Sequence, residues 1–401
     1  MTPPEKLPDN NSLSTMAYPA DRFVRVLALR GSATHRGELH GVLLGRDIRE
    51  TIQQVLDAYA TDAMGLTTVD IARLAARMGT GHMDELVEIA AIARASGIDP
   101  DGLLAWNTFD DIWAGMACSS FAVWGRHTAD GRLWCGRNTD FPAAWAPLSA
   151  VVGVTAPESG VSSLCPSFPG HLGGYGGFNA AGVAVLANLV EVLPGRGAVV
   201  GLPVKWIVAR MLRECSSLEQ AVVLAQTLPS AAGCSLLCVG KDADGRLGAA
   251  VVEKVGETSA VRWPKGELMV TANHFDTDKM CSFQPGAALR YSLPRCDALE
   301  AVLESAESSL NLPTLADALA TPPVCMVAVG EEEVTTVQSM IFDVAAQRAW
   351  VAQGRLPAPA GGYTPLSLTA LLRVSSGLLI TPYRAARHGV VPRSVTTDIP
   401  Y

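Results

Sequence analysis

The chain is poor in charge. Asp, Glu, Lys and Arg make up 17% of its 401 residues, against roughly a quarter in an ordinary soluble domain. With a hydrophobic fraction of 49%, that shortage excludes a disordered protein, a charged coiled coil and a fibrous repeat. The scarcer sign is the positive one: 31 Lys and Arg against 39 Asp and Glu give a net charge of −8. A general nucleic-acid binder needs the opposite balance to meet phosphates. Long apolar runs are missing too. No stretch reaches the ~18 uncharged apolar residues that a membrane span requires, and Lys205 and Arg210 interrupt the most apolar region, 199–212. Residues 1–22 are polar and Pro-rich without an apolar core, so no signal peptide is expected and the chain reads as cytoplasmic.

Familiar chemistry is absent as well. The sequence has no G-x-S-x-G elbow, no G-x-x-x-x-G-K-[ST] loop and no H-E-x-x-H helix. Its seven histidines do not cluster at ligand spacing. The nine cysteines are scattered and odd in number, and Cys234 with Cys238 lacks the second pair or nearby His of a zinc site. They read mostly as reduced core residues. No metal and no cofactor is expected. Gly173-Gly174-Tyr175-Gly176-Gly177 lacks a strand-then-helix frame, and reads as a tight turn or pocket rim rather than a nucleotide loop.

The pattern along the chain changes once, near residue 117. Before it, 41–60, 67–78 and 84–96 carry apolar residues at i, i+3 and i+4, as helices do. After it come strand pairs. The segments 121–125 and 132–137 flank Ala129-Asp130-Gly131, and 236–240 with 247–252 flank Ala243-Asp244-Gly245. Asp-Gly between apolar runs is a strong hairpin signal. A third pair is 334–344 with 349–353, and 199–213, 218–228 and 297–307 read as helices. Hairpins alternating with helices predict an α+β sandwich, antiparallel sheets covered by helices on their outer faces. The apolar fraction also leaves room for a buried subunit face, and so for a homo-oligomer.

The informative stretch runs from Ala117-Cys118-Ser119-Ser120-Phe121 to Cys135-Gly136-Arg137-Asn138-Thr139-Asp140-Phe141. The helical part ends here, a cysteine opens a strand, and the hairpin brings Arg137 and Asp140 back beside it. A cation and a carboxylate near a thiol can lower its pKa and orient a nearby amine.

Here the sequence resembles the autoproteolytic N-terminal-nucleophile hydrolases of the penicillin acyltransferase type, with choloylglycine hydrolase and acid ceramidase as more distant relatives. Cys-Ser-Ser followed by a hairpin and Gly-Arg-Asn-x-Asp-Phe is similar to that family's nucleophile signature. Gly177-Phe178-Asn179-Ala180-Ala181-Gly182 through Asn188, Thr271-Ala272-Asn273-His274-Phe275, and the hairpin from Thr335 to Asp343 with Gln353-Gly354-Arg355 match in order over about residues 30–365. The resemblance implies a four-layer αββα sandwich. It divides the chain into a tail (1–29), a helical pro-segment (30–117) and a catalytic part (118–401) ending in a tail (376–401). It further implies self-cleavage of the Ala117–Cys118 bond, which frees Cys118 as an N-terminal nucleophile whose own α-amine, of reference pKa about 7.7–8, acts as base. The two fragments would remain partners. Arg137 would stabilise the thiolate or bind substrate, Asp140 would hold the amine, and Asn188 and Asn273 would donate to the oxyanion. Penicillin acyltransferases carry an Arg just before the Thr-rich strand, where this sequence has Glu333-Val334; the bile-salt relatives align Arg290 instead.

The expected activity is amide hydrolysis or acyl transfer on a small-molecule amide or acyl-CoA-like thioester. Trp124, Trp134 and Trp145 near the nucleophile favour a partly apolar acyl group, although such residues equally pack cores. Arg290, Phe141 and His274 are the candidate substrate contacts. Each residue also has a purely structural reading: Cys118 as core, Arg137 with Asp140 as an ion pair, Asn188 and Asn273 as backbone partners, His274 as a packed ring, Asn179 as a turn. Two other functions stay open, a non-catalytic binding protein on the same fold and a thiol redox protein resolving Cys118 with Cys135.

Overall fold

The computed structural model describes residues 23–60, 67, 70–71, 83–113, 116–143, 151–196, 201–306, 308–327 and 334–382. Trp145, Glu333 and all but three residues of the helix expected over 67–78 lie outside them. The N-terminal part supplies a strand, β1 (Phe23–Gly31), and three helices, α1 (Ala33–Ile52), α2 (Met83–Ser96) and α3 (Pro100–Trp113). A first hairpin, β2 (Ala117–Val123) and β3 (Trp134–Pro142), leads into β4 (Val151–Pro157), β5 (Ser163–Ser167), β6 (Gly176–Asn179) and β7 (Ala184–Val190). Helices α4 (Val204–Glu214) and α5 (Leu218–Thr227) precede β8 (Ser230–Lys241), β9 (Leu247–Gly256), β10 (Thr258–Arg262) and β11 (Leu268–Thr271). Helices α6 (Leu289–Ser305) and α7 (Leu312–Ala320) then lead to β12 (Val334–Asp343), β13 (Arg348–Gln353), β14 (Thr364–Ser367) and β15 (Gly377–Pro382).

Two sheets result, with strand orders β10-β9-β8-β7-β6-β5-β4-β1-β15 and β11-β2-β3-β12-β13-β14. All pairs are antiparallel except β1 with β4. The two-residue period of the strands sorts side chains into three apolar layers. Leu186, Leu237, Ala122 and Phe342 meet between the sheets. Their chain neighbours Val185 and Leu236 face α1 to α5, and Phe121, Val123 and Ile341 face α6 and α7. This is the expected αββα order. Gly131 and Gly245 take φ of +69° and +80°, the left-handed conformation that glycine adopts without a Cβ clash. The second turn joins β8 to β9 as read, whereas the first lies in a longer connection between Val123 and Trp134 that holds a 3-10 turn at Gly125–His127.

Two boundaries differ from the sequence reading. Residues 23–29, expected in a tail, are part of β1, which pairs Val26 with Val152 on one side and with Leu379 on the other. The tail expected from 376 likewise supplies β15. Both strands find partners far away in sequence, so no hairpin signal marks them. The N-terminal part is therefore woven into the larger sheet. It is further tied by Trp106 Nε1 donating to Pro169 O (2.8 Å) and Asn107 Nδ2 to Gly170 O (2.8 Å).

The third difference bears on the site. α6 begins at Leu289 and runs through Pro294, whereas the sequence pattern starts a helix at 297. A proline ordinarily marks a helix boundary, and here it is the sixth residue of the helix, inside it. Among the described residues no helix is long and apolar enough to cross a membrane, and no group of three or more His, Cys, Asp or Glu could hold a metal ion.

Candidate active site

Cys118 is the second residue of β2, fully buried, and pairs with Thr139 across the β2–β3 ladder, with Ser120 opposite Arg137. Cys118 and Arg137 are thus diagonal neighbours on one sheet face, within reach of a long side chain. The guanidinium spans the gap: Nη2 lies 2.7 Å from Cys118 Sγ, and Nε donates to Ala187 O at 3.0 Å. Nη1 bonds Thr139 Oγ1, and the ring of Tyr175 lies 5.3 Å from the guanidinium carbon. Burial pushes the thiol of Cys118 up, while Arg137 pulls it down most strongly among the charges around it.

The opposite sheet face serves the backbone. Ser119 and Asp140 point towards α6, and there Arg295 is held. Its Nη1 donates to Cys118 O (2.6 Å) and Ser119 Oγ (3.0 Å), its Nη2 to Asn273 Oδ1 (2.8 Å), and Nη1 lies 3.7 Å from Asp140 Oδ2. Asp140 stands opposite Ala117 in the ladder and accepts from Thr336 Oγ1 at 2.6 Å. A bulge in β12 between Thr336 and Gln338 lies beside it, as bulges next to functional groups often do. Burial raises the Asp140 carboxyl to about 6, against the pull of Arg295, Thr336 and Arg137. Its Oδ2 is buried and has no hydrogen-bond partner among the described residues.

Asn273 closes on the peptide bond itself. Its Oδ1 accepts the Cys118 N–H at 2.7 Å and the Arg295 bond; its Nδ2 donates to Leu189 O at 2.7 Å and lies 3.5 Å from Met116 O. Two donors at one end and two carbonyls at the other fix the orientation of the amide. The sequence reading made Asn273 an oxyanion donor; the structure sets its acceptor at the nitrogen of residue 118. Asn188 stands one step back. It accepts from Ser120 Oγ (2.8 Å) and donates to Thr271 O (3.2 Å). An amide carries both functions, and only its neighbours decide which end is used.

The remaining candidates separate. Phe141 is buried among core residues and packs edge-on against Phe168 at 6.0 Å. His274 bridges Ser292 Oγ (2.6 Å) and Asp276 (3.1 Å). Asn179 makes the expected turn, accepting from Ala181 and Val183 N–H. Arg290 is exposed and lies over Tyr291, away from the thiol. The cation that reaches Cys118 from this region is Arg295, which sequence reasoning missed because Pro294-Arg295 reads as the end of a loop. Cys135 pairs with Ala122, four residues along β3 from the partner of Cys118. That is roughly 13 Å, beyond the ~7 Å Cα separation that a disulfide allows.

The match to known proteins covers Arg137, Asp140, Asn188, Asn273 and Arg295 and begins after Cys118. The family model described as acyl-coenzyme A:6-aminopenicillanic acid acyl-transferase matches residues 126–356. The chain belongs to that family. An uncharacterized protein of Archaeoglobus fulgidus is 24% identical over 389 residues, covering 83% of this chain and 64% of that protein; this acyl-transferase family member thus spans less than two thirds of the length of that curated relative. Among solved structures, a mutant of the conjugated bile acid hydrolase from Clostridium perfringens is similar at 13% identity and a TM-score of 0.44, over 67% of this chain and 97% of that one. Penicillin V acylase from Agrobacterium tumefaciens follows at 15% and 0.42, over 66% and 90%.

Proposed function

We propose that Cys118 cuts the Ala117–Cys118 bond of its own chain and then serves, as an N-terminal residue, as the nucleophile of an amidohydrolase or acyltransferase. One observation carries this: the groups such chemistry needs converge on a single peptide bond. Arg137 meets the thiol, Asn273 Oδ1 takes the N–H of the leaving nitrogen, and Asp140 offers a buried acceptor without a hydrogen bond. A buried acceptor left open is uncommon in a native protein, and an α-ammonium freed beside it would fill it.

In the first step the Sγ of Cys118 attacks the carbonyl carbon of Ala117. The C–N bond breaks, the nitrogen of residue 118 takes a proton, and the acyl group of residue 117 passes to sulfur. Water opens that thioester, leaving a carboxylate at Ala117 and a free thiol and amine at Cys118. In turnover the amine takes the thiol proton, the thiolate attacks the substrate carbonyl, and the protonated amine returns its proton to the leaving group. Water completes hydrolysis; a second amine completes transfer. The family description names an acyl-CoA and an amine, so a thioester donor is tested beside simple amides. Cys135, the resolving partner a redox role would use, lies out of disulfide reach of Cys118.

Intact mass under denaturing conditions tests the reading. Two species, residues 1–117 and 118–401, are expected, and they should co-elute on native size exclusion because β1 and α3 are packed into the body. A single uncut chain with unmodified Cys118 would sink the enzyme reading and favour a binding protein. A pH effect follows from Asp140. Its carboxylate is needed to hold the new ammonium. In the uncut chain burial raises that carboxyl to about 6, and an ammonium freed beside it pulls it back down. Turnover by the cut enzyme should therefore fall only as pH drops below about 6, and Asp140→Asn should remove most activity. An Asp140→Asn protein that turns over like the wild type contradicts the assignment.

A further inference from the structure

Lys205, on α4, is fully buried. Its neighbours Trp206, Ile207 and Val208 supply the apolar packing of the helix, so a charge here is costly unless paired. Its Nζ donates to Asp110 Oδ2 at 2.7 Å and lies 3.2 Å from His171 Nε2. The same Oδ2 accepts the hydroxyl of Tyr175 at 2.6 Å. Asp111 next door accepts the N–H of Val204 at 2.8 Å, capping α4.

Tyr175 links this cluster to the thiol. Its ring carries the Arg137 guanidinium at 5.3 Å, with Lys205 Nζ 5.5 Å from the same ring. Its carbonyl accepts the Ala187 N–H at 2.7 Å, and Ala187 O in turn holds Arg137 Nε. A Cβ at Gly176 would stand too close to Leu186, at 2.8 Å, and in ordinary contact with Arg137 Cδ, at 3.5 Å. Tyr175 is therefore fixed at both ends, and Arg137 is fixed by what Tyr175 presents.

We propose that Asp110 and Lys205 are positioning residues that act through Tyr175 to hold Arg137 against Cys118. The proposal rests on the reading of Cys118 as nucleophile. It adds that the N-terminal fragment, through Asp110, completes the active site of the second fragment. The charged and titratable groups that face the path are Asp110, Asp111, Lys205, His171, His40, Arg137, Cys165, Cys118, Asp140 and Arg295. Asp110 and Lys205 are paired; burial and Lys205 hold His171 well below its usual range, so it stays neutral, and burial and Asp110 hold the Tyr175 hydroxyl protonated.

The test is the pH profile of Cys118 alkylation by iodoacetamide, read peptide by peptide by mass spectrometry in Tyr175→Phe and Asp110→Asn/Lys205→Met. Tyr175→Phe removes one oxygen and keeps the ring, so folding is retained; the double variant removes both charges together. Lys254→Met is the control, an equally buried lysine bound, among the described residues, to Ala225 O and Leu228 O. The expected result is a profile displaced to higher pH in both test variants, read as a roughly three- to tenfold slower reaction at pH 7, with Lys254→Met unchanged. Profiles that overlay the wild type, or an equal displacement in Lys254→Met, overturn the proposal while wild-type cleavage leaves the nucleophile reading standing. A wild type neither cut nor alkylated at Cys118 brings down both.

Discussion

Cys118→Ala is expected to give one uncut chain with no covalent acyl adduct and no turnover. The loss should be complete, because in the proposed mechanism the residue supplies both the atom that attacks its own chain and the atom that attacks substrate. Its fold should survive. Removing one buried sulfur costs on the order of 1 kcal/mol, and the backbone bonds at residue 118, its N–H to Asn273 and its carbonyl to Arg295, do not involve the side chain. Denaturing electrophoresis beside a thermal melt separates the outcomes. Cleavage that persists between residues 117 and 118 in a folded Cys118→Ala protein would remove the thiol from the mechanism.

The second large effect belongs to Arg295. Its guanidinium meets Cys118 O, Ser119 Oγ and Asn273 Oδ1, and it is the nearest cation to Asp140 Oδ2 at 3.7 Å. Truncation leaves a buried carboxylate short of its counter-charge, a change that costs about 3–5 kcal/mol in other proteins. It also frees Asn273 to swing off the N–H of Cys118. Arg295→Ala should lower the stability measured by urea unfolding and suppress cleavage. Arg295→Lys should recover part of the stability and little of the cleavage, since one ammonium cannot occupy three acceptors set out for a planar fork. Arg290→Ala, five residues away on an exposed turn of the same helix, should cut like the wild type. Normal cleavage in Arg295→Ala, or failure in Arg290→Ala, would reverse the two assignments.

The exchange of Arg290 for Arg295 shows where sequence reading stops. Arg290 sits in a Leu-Arg-Tyr context that the resemblance could align. Arg295 follows a proline, and a proline reads as a boundary. Only the packing of α6 against β2 turns its first turns inward and brings Ser292 to Asn273 N–H and His274. Asn273 repeats the lesson on a smaller scale. Its presence in Thr-Ala-Asn-His was legible; the end of the amide that meets Cys118 was not, because that is chosen by Arg295 and Leu189 O, residues far away in sequence.

The sequence alone determined that this chain has a large core and largely antiparallel sheets under helices, from its low charge, its two-residue alternations and its Asp-Gly turns. It also determined that Cys118 and Arg137 share a site, because hairpin register is a local property counted along the chain. The tertiary structure decided what local rules cannot reach. It placed β1 and β15 in the larger sheet through partners found across the molecule. It chose which arginine of α6 faces the backbone of Cys118, and it joined Asp110 to Lys205 and Tyr175 behind Arg137. Each of these depends on desolvated groups finding partners from other elements, and no spacing within a segment encodes that.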